Sequence, residues 1–124
     1  MAQFLRLLRR KFIPTDIAGL SVWLDAQDYA SFALSGGSIS QWNDKSGKNN
    51  HAIQGTGANQ PTYAATGINS RACVGFASNQ FLSVADHATL DHTTMDVFLI
   101  CQRNTDSGGV QAACTKYGGA TITR

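Results

Sequence analysis

The residues able to do chemistry are aspartates, histidines, asparagines and aromatics, and they fall into three groups. Asp25, Asp28 and Asp44 lie in the first third of the chain or just beyond it. Asp86-His87 and Asp91-His92 lie close together farther on, and Trp42, Asp44, Asn49, Asn50 and Tyr63 share one stretch. Glycoside cleavage asks for two carboxyls held across the scissile bond, one protonated and one ionised. Asp25, Asp28 and Asp44 form no such cluster, and Asp25 and Asp44 read instead as turn-capping groups that accept backbone N–H bonds. Asp86, His87, Asp91 and His92 match no standard metal spacing and read as polar loop residues. Serines are plentiful, but no nucleophile elbow is present. The expectation is a non-catalytic chain with no metal ligand set and no cofactor. Sugar binding needs an aromatic face plus amides or carboxylates for hydroxyls, and sometimes a calcium ion that no residue pattern here assigns. Asp44, Asn49, Asn50 and Tyr63 are the candidate glycan-contacting residues. Trp23 and Trp42, on expected strands, read as core.

The element that must position these groups is Ser38 to Tyr63. It begins as a strand with Ser38, Ser40 and Trp42 on one face and Ile39 and Gln41 on the other. Asn43 to Asn50 favours turns, with Asp44 placed to accept backbone N–H groups and Gly47 to take a positive φ. A short strand at His51 to Gln54 and a loop at Gly55 to Pro61 follow. Upstream, Leu20 to Asp25 is expected as a strand and Asp28 to Gly37 as a loop with a Gly-Gly turn. Downstream, Arg71 to Phe76 and Gln80 to Val84 are expected as a hairpin across Ala77-Ser78-Asn79. Asp86 to Thr94 is polar and helix-poor. Met95 to Arg103 is the most apolar strand, read as buried on both sides. Asn104 to Gly109 reads as a turn, Val110 to Tyr117 as a strand, Gly118-Gly119 as a turn and Thr121 to Arg124 as a strand again. Short strands between turn clusters give a mainly β chain, an antiparallel jelly-roll sandwich.

Three of these motifs carry a resemblance. Val22-Trp23-Leu24-Asp25-Ala26, Ser40-Gln41-Trp42-Asn43-Asp44-Lys45-Ser46-Gly47 and Ala58-Asn59-Gln60-Pro61-Thr62-Tyr63 resemble, in order, the opening of LamG-like jelly-roll domains. These belong to the concanavalin A-like lectin/glucanase group and recur in phage virion proteins and bacterial surface proteins. Gly67 to Val84 fits more loosely, and Ala77-Ser78-Asn79 stands where relatives often carry an Asp-Gly pair. Enzymes of that group mostly use clustered glutamates, whereas the eight acidic residues here are all aspartate. The chain after the Trp-Leu-Asp motif is short for two full sheets. Further chain beyond Arg124 is therefore expected to complete the sandwich, the alternative being neighbouring subunits.

Composition adds bounds. The chain has 124 residues, 43% of them hydrophobic, and a formal charge of +2, which suits one globular domain. No apolar run reaches the length of a membrane span. Cys73, Cys101 and Cys114 are odd in number and lack metal or redox spacing; Cys73 and Cys101 in apolar runs read as small buried hydrophobes, and the thiols as reduced. Residues 1–14 differ from the rest: Met1, Phe4, Leu5, Leu8 and Phe12 share one helical face, with Arg6, Arg9 and Arg10 opposite. Pro14 ends this basic amphipathic helix, 15–19 is a linker, and 20–124 is the N-terminal portion of the β-sandwich. The arginines and the missing small-residue cleavage site argue against a secretory signal. The helix packs on its own domain or docks on a partner protein, with a membrane surface or nucleic acid weighed as lesser alternatives.

The resemblance, the reduced thiols and this segment together lead to an expected role. It is a bacteriophage virion structural protein of capsid- or tail-attached fibre or decoration type, assembled in the host cytoplasm. Phe4, Leu5, Arg6, Leu8, Arg9, Arg10 and Phe12 would seat it on other virion proteins, with a trimer favoured, no nucleic acid partner and no membrane span. A cell-surface glycan is the candidate ligand of the displayed module. The alternatives are a bacterial carbohydrate-binding module and the non-catalytic part of a larger glycan-active enzyme.

Overall fold

A computed structural model describes residues 11–103 and 113–116. The chain divides into two compact units, 1–93 and 94–124. The first is mainly antiparallel β: β1 (Phe32–Ser35), β2 (Ser38–Trp42), β3 (Ala52–Ile53), β4 (Thr62–Ala64), β5 (Cys73–Gly75) and β6 (Ser83–Val84) join one six-stranded sheet. Its other regular elements are short 3-10 turns.

β2 is the centre, with the bounds its residue pattern predicts. β1 runs along one edge, pairing Phe32 with Trp42 and Ser35 with Ser38, with a bulge between Ala33 and Leu34 that bends the pair. The other edge is shared. β3 pairs its Trp42 end (Trp42↔Ala52) and β4 its Ser38 end (Ser38↔Thr62). β5 continues outward from β4, and β6 from β3. Ile39 points into the core and is fully buried, and Ala52 and Pro61 are buried with it. Gly36 and Gly37, both at positive φ, make the tight reversal between β1 and β2.

Several expectations are corrected. β1 lies inside the span read as loop; Asp28 to Gly37 contains both the Gly-Gly turn and a strand before it. Leu20 to Asp25 is not a strand: it makes no ladder, and side chains of the Asp44 loop satisfy much of its backbone. Arg71–Phe76 and Gln80–Val84 do not pair with each other, because β5 and β6 stand at opposite ends of the strand order. Ala77 to Gln80 does turn, with Gln80 N–H on the Ala77 carbonyl at 3.1 Å. The chain then passes the Gly57–Asn59 turn, Phe81 N–H donating to the Asn59 carbonyl at 3.1 Å, and reaches the far edge. Sequence adjacency suggested a hairpin; two partner strands with unpaired edges decided otherwise.

At the start of the described chain, Lys11 to Ile13 carry no helix, and Pro14–Asp16 is a 3-10 turn fastened by Ile13 N–H to Asp16 Oδ2 at 3.1 Å. Ile13 is extended, as a residue before proline prefers. The expected helix over 1–14 therefore does not extend to its last residues, and Phe4, Leu5, Arg6, Leu8, Arg9 and Arg10 lie outside the described residues. Phe12 is 64% exposed.

In the second unit, Thr94 to Arg103 is exposed throughout and forms no strand, against the expectation of a doubly buried one. Apolar β-formers become a central strand only when neighbours flank both edges. Ala113 to Lys116 likewise carry no strand, while the other residues of the expected Val110–Tyr117 strand, the Asn104–Gly109 and Gly118-Gly119 turns and the Thr121–Arg124 strand lie outside the described residues. Cys101 and Cys114 are exposed rather than packed, and Cys73 is half-buried; all three are free thiols.

Gly67 has a strict requirement of its own. Its N–H closes a loop on the Arg71 carbonyl at 2.8 Å, and a Cβ there would run into Cys73 Sγ. Gly67→Ala is expected to cost about 1–3 kcal/mol in denaturant unfolding, as overpacking does. Adding Cys73→Ala should recover most of the loss, and a double variant no better than the single one would contradict this contact.

Candidate functional site

Asp44 is the most connected side chain of the site. Just past β2 and only 8% exposed, it accepts Trp23 N–H (2.8 Å) and Ser46 N–H (2.9 Å) on Oδ1. Its Oδ2 accepts the Ser46 hydroxyl (2.6 Å) and Asn50 N–H (3.0 Å). Burial pushes its pKa up, but the Ser46 hydroxyl and the Trp23, Ser46 and Asn50 amides outweigh that, so it lies below the ordinary 3.8. The sequence expectation of a turn-capping aspartate holds for Ser46, two residues on. The bonds to Trp23 and Asn50 go further, joining the Val22–Ala26 motif to the Asn43–Gly47 motif. Ser46 Oγ and Asn50 Nδ2 add bonds to the Ser21 carbonyl at 3.1 and 2.8 Å, and Lys45 N–H reaches the Trp23 carbonyl at 2.8 Å. Gly47 takes φ +84° in the same loop, the left-handed conformation its position requires.

Lys45 forms the second cluster. Its Nζ lies 3.0 Å from Asp25 Oδ2, 2.9 Å from Asp28 Oδ2 and 4.5 Å from the centre of a Trp23 ring. The Asp28 hydrogen bond, helped by Asp25, raises the Lys45 pKa despite burial, and the Lys45 hydrogen bond lowers that of Asp28. The Lys45 contribution is therefore present at neutral pH and fades above its ordinary 10.5; that of Asp28 fades as pH falls below 3.8. Asp25 and Asp28 thus converge on a cation between them, and that cation favours the ionised form of Asp28 rather than a protonated general acid. Lys45→Met keeps the stem over Trp23 and removes the charge. It is expected to lose about 0.5–1 kcal/mol of cation–π attraction, plus ion pairing that disappears in high salt. A loss in urea unfolding that does not shrink between low and 1 M salt would contradict the ionic part of this reading.

The candidate glycan residues are only partly brought together. Asn50 is buried, its N–H on Asp44 and its Nδ2 shared between the Ser21 carbonyl and Thr89 Oγ1 (2.8 Å each). Asn49 is exposed at φ +60°. Both border a shallow cleft of about 140 Å³ completed by His51, Ile53, Val84, Ala85, Asp86 and His87. Ligand pockets usually run to roughly 300–1,000 Å³, so this cleft suits an edge or a single substituent. Tyr63 belongs to a different group, an aromatic cluster in which its ring meets Tyr29 at 5.1 Å and Phe32 at 5.2 Å between centroids, while Phe32 meets Trp42 at 5.0 Å. The Trp42 indole N–H is buried without a partner, so it offers nothing to a ligand from outside. Tyr29, 60% exposed at the edge of this cluster, was not singled out from sequence; a lone tyrosine in a polar loop gives no signal until β1 forms beside it.

His87 and His92, read from the sequence as loop polarity, and His51 with them, are structural donors and acceptors. His51 Nδ1 accepts Asp44 N–H at 3.0 Å, His87 caps the Ala88–Leu90 turn through Thr89 N–H at 3.2 Å, and His92 Nε2 meets Ser21 Oγ at 2.8 Å. Among the described residues no group of three or more His, Cys, Asp or Glu side chains is placed to hold a metal ion, and no helix is long and apolar enough to cross a membrane. Comparison with known proteins returns no family model, no curated protein and no solved structure that matches the chain.

Proposed function

We propose that this chain is a non-catalytic structural component of a virion, of the bacteriophage type. In this reading a LamG-like jelly-roll module is displayed on a particle and held there by apolar contacts. The observation that carries the reading is the run Met95 to Ile100. Met95, Val97 and Leu99 are each 53% exposed, Phe98 91% and Ile100 93%. Contiguous apolar surface of this kind marks a place of contact with other protein. What covers it is either further chain of the same product, as the second sheet of the sandwich, or neighbouring copies in a projecting trimer. Phe12, Ile13 and Ile17, at 64%, 40% and 43% exposure, extend the same argument to the segment that follows the basic N-terminal residues. A non-catalytic role is supported by the carboxylates themselves, since Asp25 and Asp28 hold Lys45 and all of the recorded Asp44 bonds secure the fold.

Peptide mass spectrometry on purified particles tests this. Peptides of this chain at a fixed ratio to the major capsid protein are expected; finding them only in soluble lysate would overturn the virion assignment. That outcome would favour the second reading, a glycan-binding module. Its support is the open cleft, where Asn49, His51, Asp86 and His87 present polar groups beside Ile53 and Val84.

A further inference from the structure

Met95 to Ile100 alternates in exposure along its length. Met95, Val97 and Leu99 are each 53% exposed, whereas Phe98 and Ile100 stand at 91% and 93%. Residues that alternate in this way lie on an extended ribbon with two faces, here with Phe98 and Ile100 on the more open one. Among the described residues, Met95 to Gln102 take part in no recorded backbone hydrogen bond, so neither edge of the ribbon is paired there.

We propose that this ribbon pairs with the same ribbon of a second copy, antiparallel and centred on Leu99, closing a two-fold dimer. The residues themselves select that arrangement. A parallel pair in register would stack Asp96 on Asp96 and Arg103 on Arg103, and like charges directly opposed are unfavourable. The antiparallel pair sets the Asp96 end of each chain against the Arg103 end of the other. Symmetry then limits the register. A two-fold axis normal to the ribbon keeps each face on its own side, and opposed residues share a face. An even-numbered residue must therefore oppose an even-numbered one. Centred on Phe98, the pair sets Ile100 against Asp96; centred on Ile100, it sets Phe98 against Gln102. Centred on Leu99, Phe98 of each copy opposes Ile100 of the other, and the most exposed apolar side chains of both copies form one cluster. Asp96 then opposes Gln102 at either end of that cluster, where the amide can donate to the carboxylate. On the other face Leu99 meets Leu99 and Val97 meets Cys101.

This pairing gives Phe98 and Ile100 the strand neighbour that apolar β-formers require and that no described residue provides. A two-stranded ribbon is marginal in water by itself, so the dimer is expected to dissociate on dilution. The inference shares with the virion reading only the exposed run, and the purified chain tests it without particles. A trimer in the particle would need a different surface, since this contact closes on two copies.

Sedimentation equilibrium of the purified full chain is expected to show a reversible monomer–dimer mixture. Phe98→Asp sets a carboxylate against Ile100 on both sides of the axis. It should weaken association by roughly a hundredfold or more and leave the circular dichroism of the β unit unchanged. A strictly monomeric or trimeric parent, or a dimer that Phe98→Asp leaves intact, would overturn the proposal. Cross-linking reads the register separately. In a background carrying Cys101→Ser and Cys114→Ser, Leu99→Cys opposes itself across the axis with Cβ atoms about 4.5–5.5 Å apart, close enough to join as a disulfide under mild oxidation. Val97→Cys in the same background opposes position 101 and is expected to stay unlinked. Equal yields at positions 97 and 99 would sink the pairing centred on Leu99. Should Phe98→Asp not fold, this comparison decides by itself.

Discussion

Asp44→Ala is expected to remove most of the stability of the β unit, about 3–5 kcal/mol, when unfolding is followed in urea. The substitution leaves the Trp23, Ser46 and Asn50 amides without their acceptor. Each buried donor so orphaned costs roughly 1–3 kcal/mol, against a total stability of about 5–15 kcal/mol for a domain. Asp44→Asn keeps the shape and one acceptor oxygen but places an NH₂ where Oδ1 or Oδ2 now accepts, so an intermediate loss is expected. The pH dependence follows from the direction of the shift. The folded carboxyl lies below the ordinary 3.8, so its contribution is complete above that value and is lost as pH falls through the folded pKa. Asp44→Ala should remove the Asp44 share of the acid loss below 3.8 and leave only the part that Asp28 contributes there. A stability within 1 kcal/mol of the parent would show that water replaces the carboxylate without penalty.

The second large effect concerns assembly. Phe98→Asp with Ile100→Asp places two charges on the most exposed apolar side chains of the 94–103 segment. Surface positions tolerate such changes in isolation, usually within about 0.5 kcal/mol, so circular dichroism of the β unit is expected to be unchanged. Buried against a partner or a second sheet, each unpaired charge would cost several kcal/mol. At about 1.4 kcal/mol per tenfold, incorporation into particles should fall by a hundredfold or more. Quantifying the variant in purified particles against the major capsid protein checks this. Undiminished incorporation would place the contact elsewhere and remove the main support for the virion reading.

Sequence by itself determined the parts that depend on local chemistry. β2 was legible from its alternation, because Ile39 must face a core and Ser38 and Ser40 need not. The turn at Asn43 to Asn50 and the positive φ of Gly47 were legible because few residue types satisfy a sharp reversal. The capping role of Asp44 toward Ser46 followed from a carboxylate two residues ahead of a free amide. What only the tertiary structure decided was pairing over distance. Trp23 and Lys45 meet because Asp44 draws a strandless segment across twenty-one residues of chain, and no local pattern encodes that. β5 and β6 separate because hydrogen-bonding edges were open on β4 and β3, which stand at opposite ends of β2, whereas sequence shows only two short strands around a turn. Met95 to Arg103 reads as a doubly buried strand from composition, yet composition specifies a preference for neighbours and cannot supply them. The same holds for the histidines. His92 reaches Ser21, and His87 the Thr89 that Asn50 holds, only because the fold brings residues 86–92 beside the Asp44 loop.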